Sequence, residues 1–393
     1  MRISLTMLLL LVISPCYSAP GDSLYSIYNK KNPVIEARFH YGKIVRNYGN
    51  MPDRKEAGLF ELFVGKQTNG EKDWQQIYGL PQTGVSFFYG GLGNNTVLGS
   101  VFGVVPNITF GSASKKKWNV KVTLGIGFAY FNKPYNAVSN EKNEVIGSAI
   151  TNMSVAEFYL QRNLTPRLSL TGGFLSMHCS NGHYQVPNVG MNLPAVNIGL
   201  KYYPEIRNYD FPRREVTVPK GKIRFNVRFG MGIHEFAGTF GPVGGPKYTI
   251  YHASVYLSKR YGKVSNVYAG VEAKYYTDFY QYIVKNDYFP SHPHMKATVL
   301  TYFMAHELMI HKLGFLLEGG LELYNPFYKK YHSDEANKTI FDFLETYTSS
   351  KIGLQYYLFD PKYCNVPNIF LGLFVKANFG QADYVGTNLG VSF

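Results

Sequence analysis

RLSLTGGFLSMHCS, residues 167 to 180, alternates strictly between two faces. Arg167, Ser169, Thr171, Gly173, Leu175, Met177 and Cys179 share one; Leu168, Leu170, Gly172, Phe174, Ser176, His178 and Ser180 share the other. A period of two is the signature of a β-strand. The run exceeds the usual soluble strand of about five or six residues. It matches the roughly nine to eleven residues that a tilted strand needs to cross a bilayer. The second face begins apolar and is expected to meet lipid, with the Arg/Ser/Thr face lining an interior.

The pattern recurs along the chain, for example in WNVKVTLGIGFAYF (118–131), KIRFNVRFGMGIHEF (222–236) and YVGTNLGVSF (384–393). Clusters of Gly, Pro, Asn and Lys separate the runs, giving about sixteen candidate strands. Thirty-three tyrosines and 39 glycines in 393 residues suit such strands, with one apolar and one polar face. The last strand ends in Phe393, on the same face as Val391 and Leu389, like the assembly signal of outer-membrane barrels. The expected fold is all-β: a transmembrane outer-membrane β-barrel of about 14–16 antiparallel strands. A soluble sandwich that happens to end in Phe is the competing reading. The break at PEIRNYDFPRREVTVPKGK (204–222) would suit a linker between two small barrels. The terminal signal is read only once and no internal repeat is read, so one barrel over residues 19–393 is expected.

Residues 1–18 read as a secretory signal, with Arg2, the apolar run LTMLLLLVI and a small-residue cleavage site before Ala19. Cys16 offers a lipoprotein alternative that the preceding Pro15 disfavours. The remaining cysteines, Cys179 and Cys364, are too few for a disulfide framework. No internal apolar run is long enough for a transmembrane helix. The formal net charge of +14, with Lys115, Lys116 and Lys117 in one loop, suits a polyanionic partner such as the phosphorylated head group of lipid A. No nucleic-acid module accompanies that charge. Loop charge that serves only solubility is the plainer account.

The strand at 167–180 runs into NGHYQVPNVG (181–190) and then Met191 and Asn192. Residues two apart on a strand point the same way, so His178 and Ser180 project together to the lipid side. Val196, Ile198, Leu200 and Tyr202 form the apolar face of the next strand, and Asn192 shares their parity. Three polar groups on a lipid-facing surface are costly unless satisfied or confined to the interface. Imidazole has a suitable intrinsic pKa to activate a serine and to return the proton to a leaving alkoxide. A backbone N–H in the Asn181–Gly182 turn, or the Asn188 side chain, is placed to stabilise an oxyanion. The alternative is a strand end in the headgroup zone, where His and Ser are ordinary.

His178, Ser180 and Asn181, followed by Pro187, Asn188 and Gly190, resemble the motif of the outer-membrane lipid A 3-O-deacylases of the PagL type. The resemblance spans residues 56–203. It implies an eight-stranded barrel with Ser180 as nucleophile, His178 as base and Asn188 as oxyanion contributor on the lipid-facing surface. Where that family has an acid, this chain has Asn192, which can orient an imidazole but cannot neutralise an imidazolium. His183 stands where the turn usually has a small residue. The stretches 67–99 and 375–393 give the whole chain the look of longer proteins labelled acyloxyacyl hydrolase.

HELMIH (306–311) has one residue too many for a zinc helix and lies in an alternating run, so no metal site is expected. Glu157 shares parity with Tyr159 and Gln161 and is expected to point inward, away from the missing acid's place. The reading is a serine esterase without cofactors, acting on lipopolysaccharide in the outer membrane. A non-catalytic barrel, as pore or surface binder, and an outer-membrane phospholipase are the alternatives. Acyl position and oligomeric state are left open.

Overall fold

The computed structural model describes residues 32–49, 51–111, 116–207, 213–333, 340–378 and 381–393. The signal-like segment 1–18, with Cys16, lies outside the described residues, as does Lys115. Eight strands come first: β1 (Pro33–Gly42), β2 (Ala57–Gln67), β3 (Gln82–Gly91), β4 (Ser100–Phe110), β5 (Trp118–Phe131), β6 (Ile150–Asn163), β7 (Leu168–Ser180) and β8 (Met191–Tyr202). Eight more follow: β9 (Ile223–Glu235), β10 (Lys247–Tyr261), β11 (Ser265–Tyr276), β12 (Thr298–Ile310), β13 (Leu313–Tyr324), β14 (Thr348–Tyr357), β15 (Asn368–Asn378) and β16 (Gln381–Ser392).

The strand number agrees with the reading of the sequence, but the single barrel does not. The strands close as two eight-stranded antiparallel barrels, β1–β8 and β9–β16. Neighbouring hairpins pair identically in either architecture; only the partner of the last strand differs. β8 turns back onto β1, with Tyr202 opposite Ile35 and Ala195 opposite Gly42. β16 closes onto β9, with Ser392 opposite Asn226.

The two closures repeat one another. NIGLKY (197–202) and NLGVSF (388–393) end their barrels in the same pattern, with Tyr202 and Phe393 both exposed on the outside. Gly199 lies opposite Arg38 of β1, and Gly390 opposite Arg228 of β9. Both arginines are buried in the lumen. A methyl group at Gly199 would run into the Arg38 side chain, so glycine there makes room for it. The aromatic strand end read once in the sequence therefore occurs at both closures.

Each lumen is packed by side chains, as expected for eight strands. Arg38 bonds Glu36 (2.7 Å), Glu61 (3.3 Å) and Glu157, which points inward as expected from its parity. Arg228 bonds Glu318 (2.7 Å) and Glu272 (3.3 Å). Such pairs persist in a dry interior because each charge has both a counter-charge and hydrogen bonds. In the first barrel an apolar plug of Leu59, Phe88, Val101, Met153, Met177 and Cys179 fills the part that includes the ends of β7 and β8. The outer faces are apolar, with Phe39, Phe60, Phe174 and Ile198 exposed on one barrel and Phe229, Leu257, Leu371 and Leu389 on the other.

At the end carrying the C-terminus, the second barrel has short turns such as 262–264 and 311–312. The 358–367 connection also lies at that end; the connections that carry helices lie at the opposite end, where α2 (Thr277–Lys285), α3 (Pro293–Lys296), α4 (Pro326–Tyr331) and α5 (Ile340–Tyr347) form. A short α1 (Asp73–Ile77) follows β2. It meets the second barrel through Asp73, which bonds the Tyr363 hydroxyl. β7 runs from the terminus-bearing end to the far end and delivers residues 178–180 there.

Candidate active site on the outer wall of the first barrel

Period-two geometry places His178 and Ser180 as the sequence suggests. Burial along β7 alternates, with Met177 and Cys179 inside, His178 exposed and Ser180 half-buried. His178 and Asn192 are direct cross-strand partners on the outer face. Their side chains meet, with His178 Nδ1 and Asn192 Oδ1 2.8 Å apart. When the amide oxygen accepts, Nδ1 carries the proton and Nε2 is left as the basic nitrogen. An asparagine amide can also turn over and donate, which a carboxylate cannot.

The Ser180 hydroxyl sits among donors. It accepts from Asn188 Nδ2 at 3.0 Å and from the Gly182 N–H at 3.2 Å. Asn188 Oδ1 in turn accepts from the Asn181 N–H at 3.2 Å. Asn181 directs its own amide away, donating to Gln185 O (2.7 Å) and Ser148 Oγ (3.2 Å). Of the three groups read as oxyanion donors, the Asn188 side chain and Gly182 N–H reach the hydroxyl, whereas the Asn181 N–H is taken up by Asn188 Oδ1. Among the described residues, no hydrogen bond joins His178 to Ser180. Gly190 lies between them: its φ is +79°, and a Cβ there would stand 3.3 Å from His178 Cε1 and 3.8 Å from Ser180 Cβ. Any side chain at 190 would crowd the space the two groups share.

The 181–190 loop is held from both sides. Within the first barrel, Val189 N–H and Gly190 N–H donate to Glu144 O (3.3 Å) and Val145 O (3.1 Å), and Asn47 Nδ2 donates to Gly190 O (2.8 Å). The second barrel supplies more. Glu235 N–H donates to His183 O (3.2 Å), and Asn188 N–H donates to Thr239 O (3.0 Å). Glu235 Oε2 accepts from Val186 N–H (3.1 Å), and His183 Nε2 bonds Ala237 O (2.9 Å). Val375 and Val385 of β15 and β16 stand 3.4 Å from where a Gly182 Cβ would be. Burial holds the His183 imidazole below its usual pKa. The sequence reading missed Glu235, Ala237 and Thr239, since no local spacing links them to Ser180.

Other candidates fall elsewhere. Lys116 and Lys117, read as candidates for a polyanionic partner, lie in the β4–β5 turn, at the end opposite Ser180. The nearer exposed cations, Lys133 and Lys142, belong to the β5–β6 connection that braces the motif loop. HELMIH lies in β12 and its turn, with Glu307 inside and His306 on the other face. His40, Glu61 and Glu157 bring metal-capable atoms within 4.8 Å of one another in the first lumen, but Arg38 already pairs with both carboxylates. Cys179 and Cys364 are both free and buried.

Residues 59–201 match the family described as "Lipid A 3-O-deacylase (PagL)", and residues 223–393 match "Acyloxyacyl hydrolase, C-terminal domain". The first range runs from β2 through β8 of the first barrel, and the second spans the whole of the second barrel. No curated protein matches the chain. Similar solved structures include the outer membrane enzyme PagL, at 16% identity and TM-score 0.29, covering 42% of this chain and 97% of that one. Neisserial surface protein A is similar at 9% identity and TM-score 0.31, covering 43% of this chain and 96% of that one. The chain is an outer-membrane β-barrel protein of a Gram-negative cell. Short turns in such barrels are periplasmic, so the far end, with Ser180, faces the cell exterior.

Proposed function

We propose that this protein is an outer-membrane esterase that removes an ester-linked acyl chain from lipid A, with Ser180 as nucleophile; the match of residues 59–201 to the lipid A 3-O-deacylase family and of residues 223–393 to the acyloxyacyl hydrolase C-terminal domain supports this reading. The observation that carries the proposal is the outward constellation itself. An Asn192-oriented His178 and Ser180 share one lipid-facing surface, and Asn188 and Gly182 donors point at the serine oxygen.

In this reading Ser180 Oγ attacks the acyl carbonyl carbon as its proton passes to His178 Nε2. The carbonyl oxygen becomes an oxyanion, stabilised by the Asn188 Nδ2 and Gly182 N–H donors. Collapse breaks the bond to the sugar oxygen, which takes the proton back from His178 and leaves an acyl-serine. Water, deprotonated by His178, then attacks that ester, releasing a fatty acid and restoring Ser180. The His178–Ser180 hydrogen bond forms as substrate binds, since catalytic hydrogen bonds commonly tighten in the complex. Phe174 pairs across the sheet with Phe158 and Val196, and these three exposed side chains form an apolar row on which an acyl chain can lie. The filled lumens favour chemistry on the outer wall over passage through a pore.

Mass spectrometry of lipid A from cells producing wild type or Ser180→Ala is the test. Loss of one acyl chain only with wild type is expected, and identical acyl patterns would overturn the proposal. Fatty acid release from phospholipid vesicles, with lipid A unchanged, would instead assign a phospholipase.

A further inference from the structure

At the periplasmic end of the second barrel, away from Ser180, a cavity of about 80 Å³ opens. That is several times the space one water requires. Its rim and wall carry Lys220, Lys222, Arg224, Arg260 and Lys362, and among the described residues no acidic one lines it. Two of these cations have buried donors without a partner among the described residues, Lys362 Nζ and Arg260 Nε. Lys362 is only 3% exposed. A buried ammonium that no carboxylate bonds directly is costly: burial pushes Lys362 below the usual lysine range, although the nearby Asp360 and Asp73 carboxylates pull it the other way.

The neighbouring acids are engaged elsewhere: Asp73 bonds Arg214 and the Tyr363 hydroxyl. Asp360 accepts from the Lys362 backbone N–H (3.0 Å) and bonds His311 (3.0 Å). Glu307, beneath the cavity, is satisfied by Tyr268, Tyr357, Asn266 and Gln355. The arginines bond only neutral oxygens: Arg260 donates to Pro361 O (3.2 Å) and Pro219 O (3.0 Å), and Arg224 donates to Cys364 O. These bonds fix the guanidinium groups in place without neutralising them.

We infer that this cavity binds a phosphate group, held by Lys362 and Arg260 inside and by Lys222 and Arg224 at the mouth. Several fixed donors around a small space suit a tetrahedral anion with several acceptor oxygens. Its position at the periplasmic end gives two sources of that chemistry: the head group of an inner-leaflet phospholipid, or inorganic phosphate in the periplasm.

The test uses the full-length protein in detergent. Inorganic phosphate is titrated calorimetrically, and lipid retention is read by native mass spectrometry after exposure to phosphatidylglycerol micelles. Wild type is expected to bind at least one of the two. Lys362→Gln and the exposed Lys222→Gln are each expected to weaken binding about tenfold or more, the worth of one charge-assisted hydrogen bond. Retention of the lipid assigns a head-group site, and binding of phosphate alone assigns a soluble ligand. Heat-dependent gel mobility checks that each barrel is folded; should Lys362→Gln fail, Lys222→Gln decides. Binding of neither probe, or equal binding by wild type and folded variants, overturns the inference. Ester hydrolysis at Ser180 is expected to be unchanged in Lys222→Gln, which separates this site from the one at the other end.

Discussion

Glu235, the last residue of the second barrel's first strand, accepts a hydrogen bond from the Val186 N–H of the first barrel's motif loop at 3.1 Å. The same carboxylate accepts from the Gly245 N–H (2.6 Å) and Lys247 Nζ (2.6 Å), so it is anchored in its own barrel while it holds the other. Two residues after Val186 comes Asn188, whose amide touches Ser180. The second barrel thus positions the site without supplying a group that contacts the serine oxygen.

Replacing Glu235 with Ala removes that anchor and leaves the Val186 N–H unpaired. A misplacement of about 1 Å can cost about a hundredfold in rate. Deacylation by Glu235→Ala is expected to fall by roughly tenfold to a hundredfold, mostly in kcat, with Glu235→Gln retaining more. Equal rates for wild type and Glu235→Ala would show that the first barrel holds its loop unaided.

Asn192→Asp is expected to raise activity. A carboxylate opposite His178 Nδ1 enforces the tautomer with a basic Nε2 and stabilises the imidazolium that forms during attack. The reverse exchange in a serine protease costs about 10⁴-fold. On a half-open membrane surface, a gain of roughly tenfold or more is expected. A fall in rate, with the barrel intact, would mean that Asn192 has another role.

Asn188→Ala tests the oxyanion role. Loss of one such donor typically costs about 10²- to 10³-fold in kcat. KM should stay near wild type, because the donor acts on charge that develops only in the transition state. A change confined to KM would assign Asn188 to substrate binding.

The contact through His183 should weaken in acid. Burial lowers its folded-state pKa, with Asp383, His234 and Glu235 the charged groups facing it. The unfolded or undocked imidazole therefore binds a proton more readily than the docked one. This stabilisation is fully present above the ordinary histidine value of about 6.5 and is lost as pH falls from there through the depressed folded value. Hydrogen exchange of the 181–188 amides is expected to be faster at about pH 5 than at about pH 7.5, and His183→Gln should flatten the difference. Equal protection at both pH values in wild type would count against it.

Much of the candidate site is legible in the alternation of residues 167–180. Because a strand has a period of two, an apolar Phe174 on the outside commits His178 and Ser180 to the outside as well. The same rule carried Asn192 to the His178 side and Glu157 into the lumen. The count of sixteen strands was legible for the same reason. The repeat of NIGLKY in NLGVSF, each opposite a buried arginine, was present in the sequence too. It is visible only once the two closures are laid side by side, because four of its six positions differ in residue.

The sequence by itself determined which face of each strand meets lipid and which residues cluster at the end of β7, since backbone pleating imposes both locally. Only the tertiary structure decided that β8 returns to β1 instead of passing on to β9, since closure depends on pairing between distant strands. It also decided that Glu235, Ala237 and Thr239 grip the motif loop, and that Lys362 is buried beside Arg260 with no hydrogen-bond partner for its Nζ among the described residues. These contacts join segments far apart in the chain, which no local periodicity encodes.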